Sequence, residues 1–143
     1  MGAQITITLL GKPRGKQRPR VTRQGIAYTP KETLHYESAL RVTAQAVMER
    51  LRRSPLQGPV EVIVEAYMPI AASWPKKKQR AAGFGTLLPT GKPDLDNILK
   101  MLDGLNGIVW GDDSQITDAV VRKRYSDRPR LEIAVTALSP AES

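Results

Sequence analysis

Cysteine is absent from the chain, which excludes disulfides, thiolate zinc sites and cysteine nucleophiles. The single histidine, His35, cannot build a histidine-rich metal site by itself. Aromatic residues make up only 5% (one Phe, two Trp, four Tyr), too few for an extended platform that stacks the bases of a single strand. No apolar run approaches the ~20 residues needed to cross a bilayer. The opening MGAQITITLLGK has no basic leader segment and no cleavage site, so no secretory signal is expected and a cytoplasmic location is the default. Gly2 and Thr6 fit the loose myristoylation pattern, but the alternation of Ile5, Ile7 and Leu9 explains the same residues as a strand.

Acids are scarce as well, 14 against 22 Lys plus Arg, for a net charge of +8 and a pI near 10.0. That excess favours a polyanionic partner, either nucleic acid or an acidic membrane surface. The 143 residues are 41% hydrophobic and 25% charged, which is enough for one domain with a real core, residues 1–143.

Residues 4–10 alternate apolar and polar and predict a strand. Residues 11–30, rich in proline, glycine and bases, predict a basic arm. From Lys31 to about Arg53, Tyr36, Leu40, Val47 and Leu51 recur at helical intervals. Val60, Val62, Val64, Ala66 and Met68 mark one face of a second strand, with Glu61 and Glu65 on the other. Residues 69–93 predict a long basic flap loop. A second helix is expected from Pro93-Asp94, with Leu95, Ile98, Leu99, Leu102 and Leu105 as its apolar stripe and Gly107 as its stop. Strands at about 115–125 (Thr117, Ala119, Val121) and 130–138 (Leu131, Ile133, Val135, Ala137) follow, joined near Pro129 by an expected hairpin; the tail after Leu138 reads as frayed. The order β-α-β-loop-α-β-β predicts an α+β domain with two helices on a small mixed sheet.

The charges are segregated. Three runs supply 15 of the 22 bases: Lys12, Arg14, Lys16, Arg18, Arg20 and Arg23 in the arm; Lys76, Lys77, Lys78 and Arg80 in the flap; and Arg122, Lys123, Arg124, Arg128 and Arg130 near the end. Residues 94–118 reverse the sign, with six aspartates and one base, Lys100. Such an island repels a polyanion unless a cation neutralises it. At ~100° per residue, Asp96, Lys100 and Asp103 share one helix face, and Asp94 stands at the helix entrance. Gly111-Asp112-Asp113-Ser114 forms a turn from which Asp113 can join Asp94 and Asp96 around one point. Hard oxygen ligands of this kind suit Mg²⁺ or Mn²⁺. Taken singly, each feature has an ordinary explanation: Asp94 as a helix cap, Asp112-Asp113 as a turn, Lys100 as an i,i+4 partner of Asp96. Their conjunction points to metal-assisted phosphodiester cleavage, in which carboxylates hold the metal and a lysine offsets phosphoryl charge.

The stretch from Lys92 to Ile116, KPDLDNILKMLDGLNGIVWGDDSQI, resembles the signature of the RusA family of Holliday-junction resolvases, and RGKQRPRVTRQGIAYTP is similar to the N-terminal arms of its phage-type members. The resemblance implies that Asp94, Asp96 and Asp113 are metal-binding catalytic carboxylates and Lys100 the catalytic lysine. Asp112 and Asp103 fall on acidic positions beside the site, Asp112 as a further candidate metal ligand. It also implies a homodimer, Mg²⁺ dependence and paired symmetric cuts across a four-way DNA junction in recombination and repair. Arg14, Lys16, Arg18, Arg20, Lys76, Lys77, Lys78, Arg80, Lys92, Arg122 and Arg124 are the candidate DNA contacts, with residues 69–93 inserted relative to the shortest members. Two alternatives stay open: a non-catalytic nucleic-acid binder, and a nuclease preferring flaps or ordinary duplex. Tyr28, Trp74, Phe84 and Tyr125 could contact DNA or pack, with packing the expectation for each, and His35 reads as a helix-surface residue.

Overall fold

A computed structural model of the chain describes residues 4–138; the terminal positions, including Gly2 and the expected frayed tail after Leu138, lie outside the described residues. The order is β1 (Gln4–Leu10), β2 (Arg20–Val21), β3 (Ala27–Tyr28), α1 (Lys31–Leu51), β4 (Val60–Pro69), α2 (Lys76–Phe84), α3 (Leu95–Lys100), a 3₁₀ turn (Met101–Leu105), a second at Asp113–Gln115, β5 (Ile116–Ser126) and β6 (Arg130–Ala137). It is a mixed α+β domain with a four-stranded mixed sheet and, among the described residues, three α-helices.

The period of two holds where a strand has one face on the core. Ile5 and Ile7 are fully buried between exposed Gln4, Thr6 and Thr8, and along β4 the residues Val60, Val62, Val64, Ala66 and Met68 point inward. Leu131, Ile133 and Val135 of β6 meet them. α1 closes this face with Thr33, Tyr36, Leu40, Ala44, Val47 and Met48. It ends at Arg52 in the left-handed conformation (φ 53°), where the Arg53 N–H returns to the Met48 carbonyl as in a Schellman motif. Trp110 is the largest fully buried side chain, and its Nε1–H donates to Asn106 Oδ1 at 2.7 Å.

Several expectations are corrected. The strand order is β1-β6-β4-β5, with β6 antiparallel to both β1 and β4 and β5 parallel to β4. β5 and β6 therefore form no hairpin; residues 127–129 cross the end of β4. At its start β5 has no inward alternation, and Thr117 and Ala119 are exposed. The flap 69–93 is not all loop, because α2 lies in it. The second helix is α-helical for only six residues before tightening to 3₁₀, and Leu95 is exposed, as is Leu51 of α1.

The sheet also sorts the charges. The arm leaves from Leu10, which pairs with Arg130; the flap leaves from Pro69, which pairs with Ser126. Together with the 127–129 crossing, all three basic segments emerge from one end of the sheet. The Asp112-Asp113 turn sits at the opposite end, where Ile116 pairs with Val60.

The Tyr36 hydroxyl is buried with no hydrogen-bond partner in good geometry, and burial pushes it up to about 12, with nearby Arg14 opposing only in part. An unfolded tyrosine ionises near 10, so the folded state retains this proton while the unfolded state loses it. The stabilisation is complete below about pH 10 and is lost as pH rises toward about 12. Tyr36→Phe should be close to neutral at pH 7 and should flatten this alkaline decline, by on the order of 2 kcal/mol near pH 12, in denaturant titrations across pH.

Candidate active site

α3 carries the acidic island down the side of β5. Near its entrance the Lys123 ammonium donates to the Gly91 carbonyl at 2.6 Å; at its exit Lys100 and Asp103 share a cleft of about 350 Å³ with Asp113 and Asp118. Asp94 occupies the N-cap position of α3, yet its side chain makes no capping bond. Instead it opens onto a second cleft, about 690 Å³, formed where the basic arm lies over α1 and the start of α3. Asp96 pairs with Lys100, one helical turn away, at 3.7 Å. At 68% and 61% side-chain exposure that pair contributes little to stability and leaves both groups open to a ligand.

Asp113 and Asp103 face one another. The proximity of Asp103, then desolvation and the negative charges of Asp103 and Asp112, hold Asp113 above the ordinary carboxyl range. Asp112 has a different task. Its Oδ2 accepts the Ser114 N–H at 3.0 Å, and Ser114 lowers its pKa, through its side chain first and then through this N–H. Gln115 closes the capping box: its Oε1 accepts from the N–H groups of Gly111 and Asp112, and its Nε2 donates to the carbonyls of Leu56 and Gly58 at 3.0 and 2.9 Å. The acidic turn is thus bolted to the strand entrance, with Asp113 pointing into the cleft.

Asp103 is held from its other side by the arm. Lys16 Nζ lies 3.3 Å from Asp103 Oδ2 and 3.4 Å from Glu37 Oε2 of α1. Burial by itself would lower the Lys16 pKa, but the two carboxylates outweigh it and raise the value. The Lys16 N–H also donates to the Asn97 carbonyl at 2.8 Å. Beside it, Gly15 is required by close approach, since a Cβ there would stand 2.8 Å from Pro93 Cβ and 2.9 Å from Asn97 Cβ. Arg41 completes the joint by donating to the Gly104 carbonyl at 2.7 Å, and a Cβ on Gly104 would stand 2.9 Å from Glu37 Cγ.

The predicted residues are therefore distributed between two clefts. Lys100 and Asp113 come together, with Asp96 paired to Lys100, while Asp94 faces the arm. Among the described residues no three His, Cys, Asp or Glu side chains form a metal-holding group, so the expected nest of Asp94, Asp96 and Asp113 is not closed. Asp96 instead lies beside Lys100, and Asp113 beside Asp103. Of the candidate DNA contacts, Arg14, Arg18, Arg20 and Lys92 are exposed around the arm cleft, and Lys76, Lys77, Lys78 and Arg80 are exposed on α2. Lys16 differs, being spent on its two carboxylates. Arg122 lies 4.0 Å from Glu65, and Arg124 donates to the Lys123 carbonyl.

The family of Endodeoxyribonuclease RusA matches residues 11–136, from the start of the arm to the next-to-last residue of β6. The chain belongs to the RusA endodeoxyribonuclease family. It is also similar to the uncharacterized protein YqaN of Bacillus subtilis (strain 168), 35% identical over 141 residues that span 94% of this chain and 97% of that protein. As a RusA protein the chain has donor chemistry that suits a hard divalent cation. Asp103 and Asp113 present paired oxygens on braced backbone at a solvent-accessible cleft, and Mg²⁺ commonly takes one or two carboxylates and completes its shell with water and phosphate oxygens.

Reading the residues in sequence did not find Glu37, Arg41 or Gln115, because no local pattern shows that they brace distant segments. Gly15→Ala should cost about 1–3 kcal/mol through overpacking against Pro93 and Asn97. Thermal melts should show the loss, and limited trypsin digestion should show faster cutting at Arg14 and Arg20.

Proposed function

We propose that this protein is a Mg²⁺-dependent endonuclease that resolves four-way DNA junctions by paired symmetric cuts, acting as a homodimer inside the cell. Membership of the RusA family supports the endodeoxyribonuclease chemistry. The observation that carries the site assignment is a cleft of aspartates with one lysine, set in a protein of net charge +8. A protein that only bound DNA would gain nothing from that negative surface beside its grip. Among the described residues no helix is long and apolar enough to cross a membrane.

Asp113, with Asp103 against it, would hold the metal, and Asp94 and Asp96 would join them only if the start of α3 turns toward that cleft when metal and DNA bind. When bound, a divalent cation polarises the scissile phosphoryl group and lowers the pKa of the attacking water. Lys100 places an ammonium where it offsets charge building on the phosphoryl oxygens. Asp112 and Gln115 keep Asp113 in place, and Lys16 with Glu37 keeps Asp103 in place. Arg14, Arg18, Arg20 and Lys92 contact the phosphates of the strand leading to Asp94; α2 and Arg122 and Arg124 extend that contact at the same end of the sheet. This grip is insensitive to base sequence and weakens steeply with salt. A two-fold dimer would present equivalent sites to a two-fold junction.

Asp96→Asn should reduce junction cleavage by roughly a thousandfold, and Lys100→Ala by roughly a hundredfold, while binding in Ca²⁺ persists. Gel assays of synthetic four-way, three-way and linear DNA measure both. Cleavage by Asp96→Asn at the parental rate would sink the assignment, and equal cutting of linear duplex would remove junction selectivity.

A further inference from the structure

The flap carries a feature that the cleavage chemistry does not use. From Ala66 to Pro93 the chain has no acid, and α2 exposes Lys76, Lys77, Lys78 and Arg80 to solvent. The base of α2 is firmly seated. Ala82 is fully buried, and the Trp74 ring meets Tyr125 of β5 edge-on with centroids 5.3 Å apart. The Lys78 ammonium lies 4.1 Å from the centre of the Trp74 ring, and Gln79 Nε2 donates to the carbonyls of Ala72 and Trp74. Beyond the helix the N–H groups of Thr86 and Leu87 return to the Ala81 carbonyl.

At the far end of this anchored helix stands Phe84, the only phenylalanine in the chain. It is 81% exposed, the highest value among the large hydrophobic side chains described. Gly83 and Gly85 flank it, and neither has an atom within 4 Å of the place a Cβ would take. The expectation that Phe84 packs is therefore corrected: its ring projects from a basic helix into open space.

We propose that Phe84 stacks on bases laid open at a DNA branch point, so that α2 makes the protein select branched DNA over continuous duplex. The proposal rests on the DNA-cleaving reading above for its partner and adds the element that senses the branch. Charge complementarity names the occupant. A two-fold contact of α2 with α2 of a second copy would set lysines against lysines, whereas DNA brings phosphates for the lysines and π-faces for the ring. The two contacts read different things. Phosphates are present on every duplex, so the lysines give affinity without selectivity. Base faces are covered by their neighbours inside a duplex and exposed at a branch, so a projecting ring gains its stacking contact only there.

The test compares parent, Phe84→Ala and Phe84→Trp for binding to a four-way junction and to linear duplex of the same length, in Ca²⁺ at physiological salt, with 2-aminopurine beside the branch. Phe84→Ala should weaken junction binding roughly tenfold, leave duplex binding within about twofold and leave the salt slope unchanged. It should also abolish the 2-aminopurine response, and Phe84→Trp should restore both. The triple change of Lys76, Lys77 and Lys78 to Ala should weaken both substrates alike and reduce the salt slope by about two to three. Equal weakening of both DNAs by Phe84→Ala, no change in either, or a fall in its oligomeric state by light scattering would each overturn the proposal. Because binding is read without cleavage, a failure of the nuclease assignment in Asp96→Asn would show separately.

Discussion

Lys16 holds the site together. Its ammonium touches Asp103 on the 3₁₀ turn and Glu37 on α1, while its backbone N–H bonds the carbonyl of Asn97 on α3. Three segments far apart in the chain thereby share one residue. A partly exposed ion pair contributes little free energy by itself. The combination of two carboxylates, a backbone bond and a glycine contact that admits no Cβ fixes position rather than adding much stability. It presses the arm onto the aspartate helix and turns Asp103 toward Asp113.

Around this joint the fold separates charges that would otherwise cancel. The three basic segments leave from one end of the sheet, and the Asp112-Asp113 turn enters at the other. α3 runs between them along β5, so the carboxylates form a strip that begins beside the basic end and finishes in a braced cleft. The function proposed above requires both surfaces, with affinity from the cations and hydrolytic chemistry from carboxylates that would repel the substrate without a counterion. Parallel pairing of β5 with β4 makes the separation possible: a hairpin from β5 to β6 would have placed β5 elsewhere in the sheet and carried the acidic turn with it.

Legibility followed burial. Where a strand or helix has one face on the core, as in β1, β4, β6 and α1, the spacing of apolar residues gave the element and its buried face nearly residue by residue. At the edge strand β5 the spacing failed, since Thr117 and Ala119 have no core to face. The expected hairpin failed because a three-residue connection around Pro129 is equally able to cross one intervening strand. α2 was missed because its sequence is basic and exposed, with Ala82 the only buried anchor in its nine residues. In the site, Asp94, Asp96, Lys100 and Asp113 stood out by charge and spacing. Asp103 was placed beside the site, and the structure moves it to the centre of one cleft, against Asp113.

The sequence alone determined the α+β class, the alternation of the inner strands, the exclusion of thiol chemistry and the concentration of aspartates within a basic chain, because each of these depends on composition or on local periodicity. Tertiary structure decided the strand order, the common origin of the basic segments, the pairing of Asp103 with Asp113 and the exposure of Phe84. These depend on contacts between residues dozens of positions apart, and no spacing along a chain encodes which distant side chain will arrive beside another.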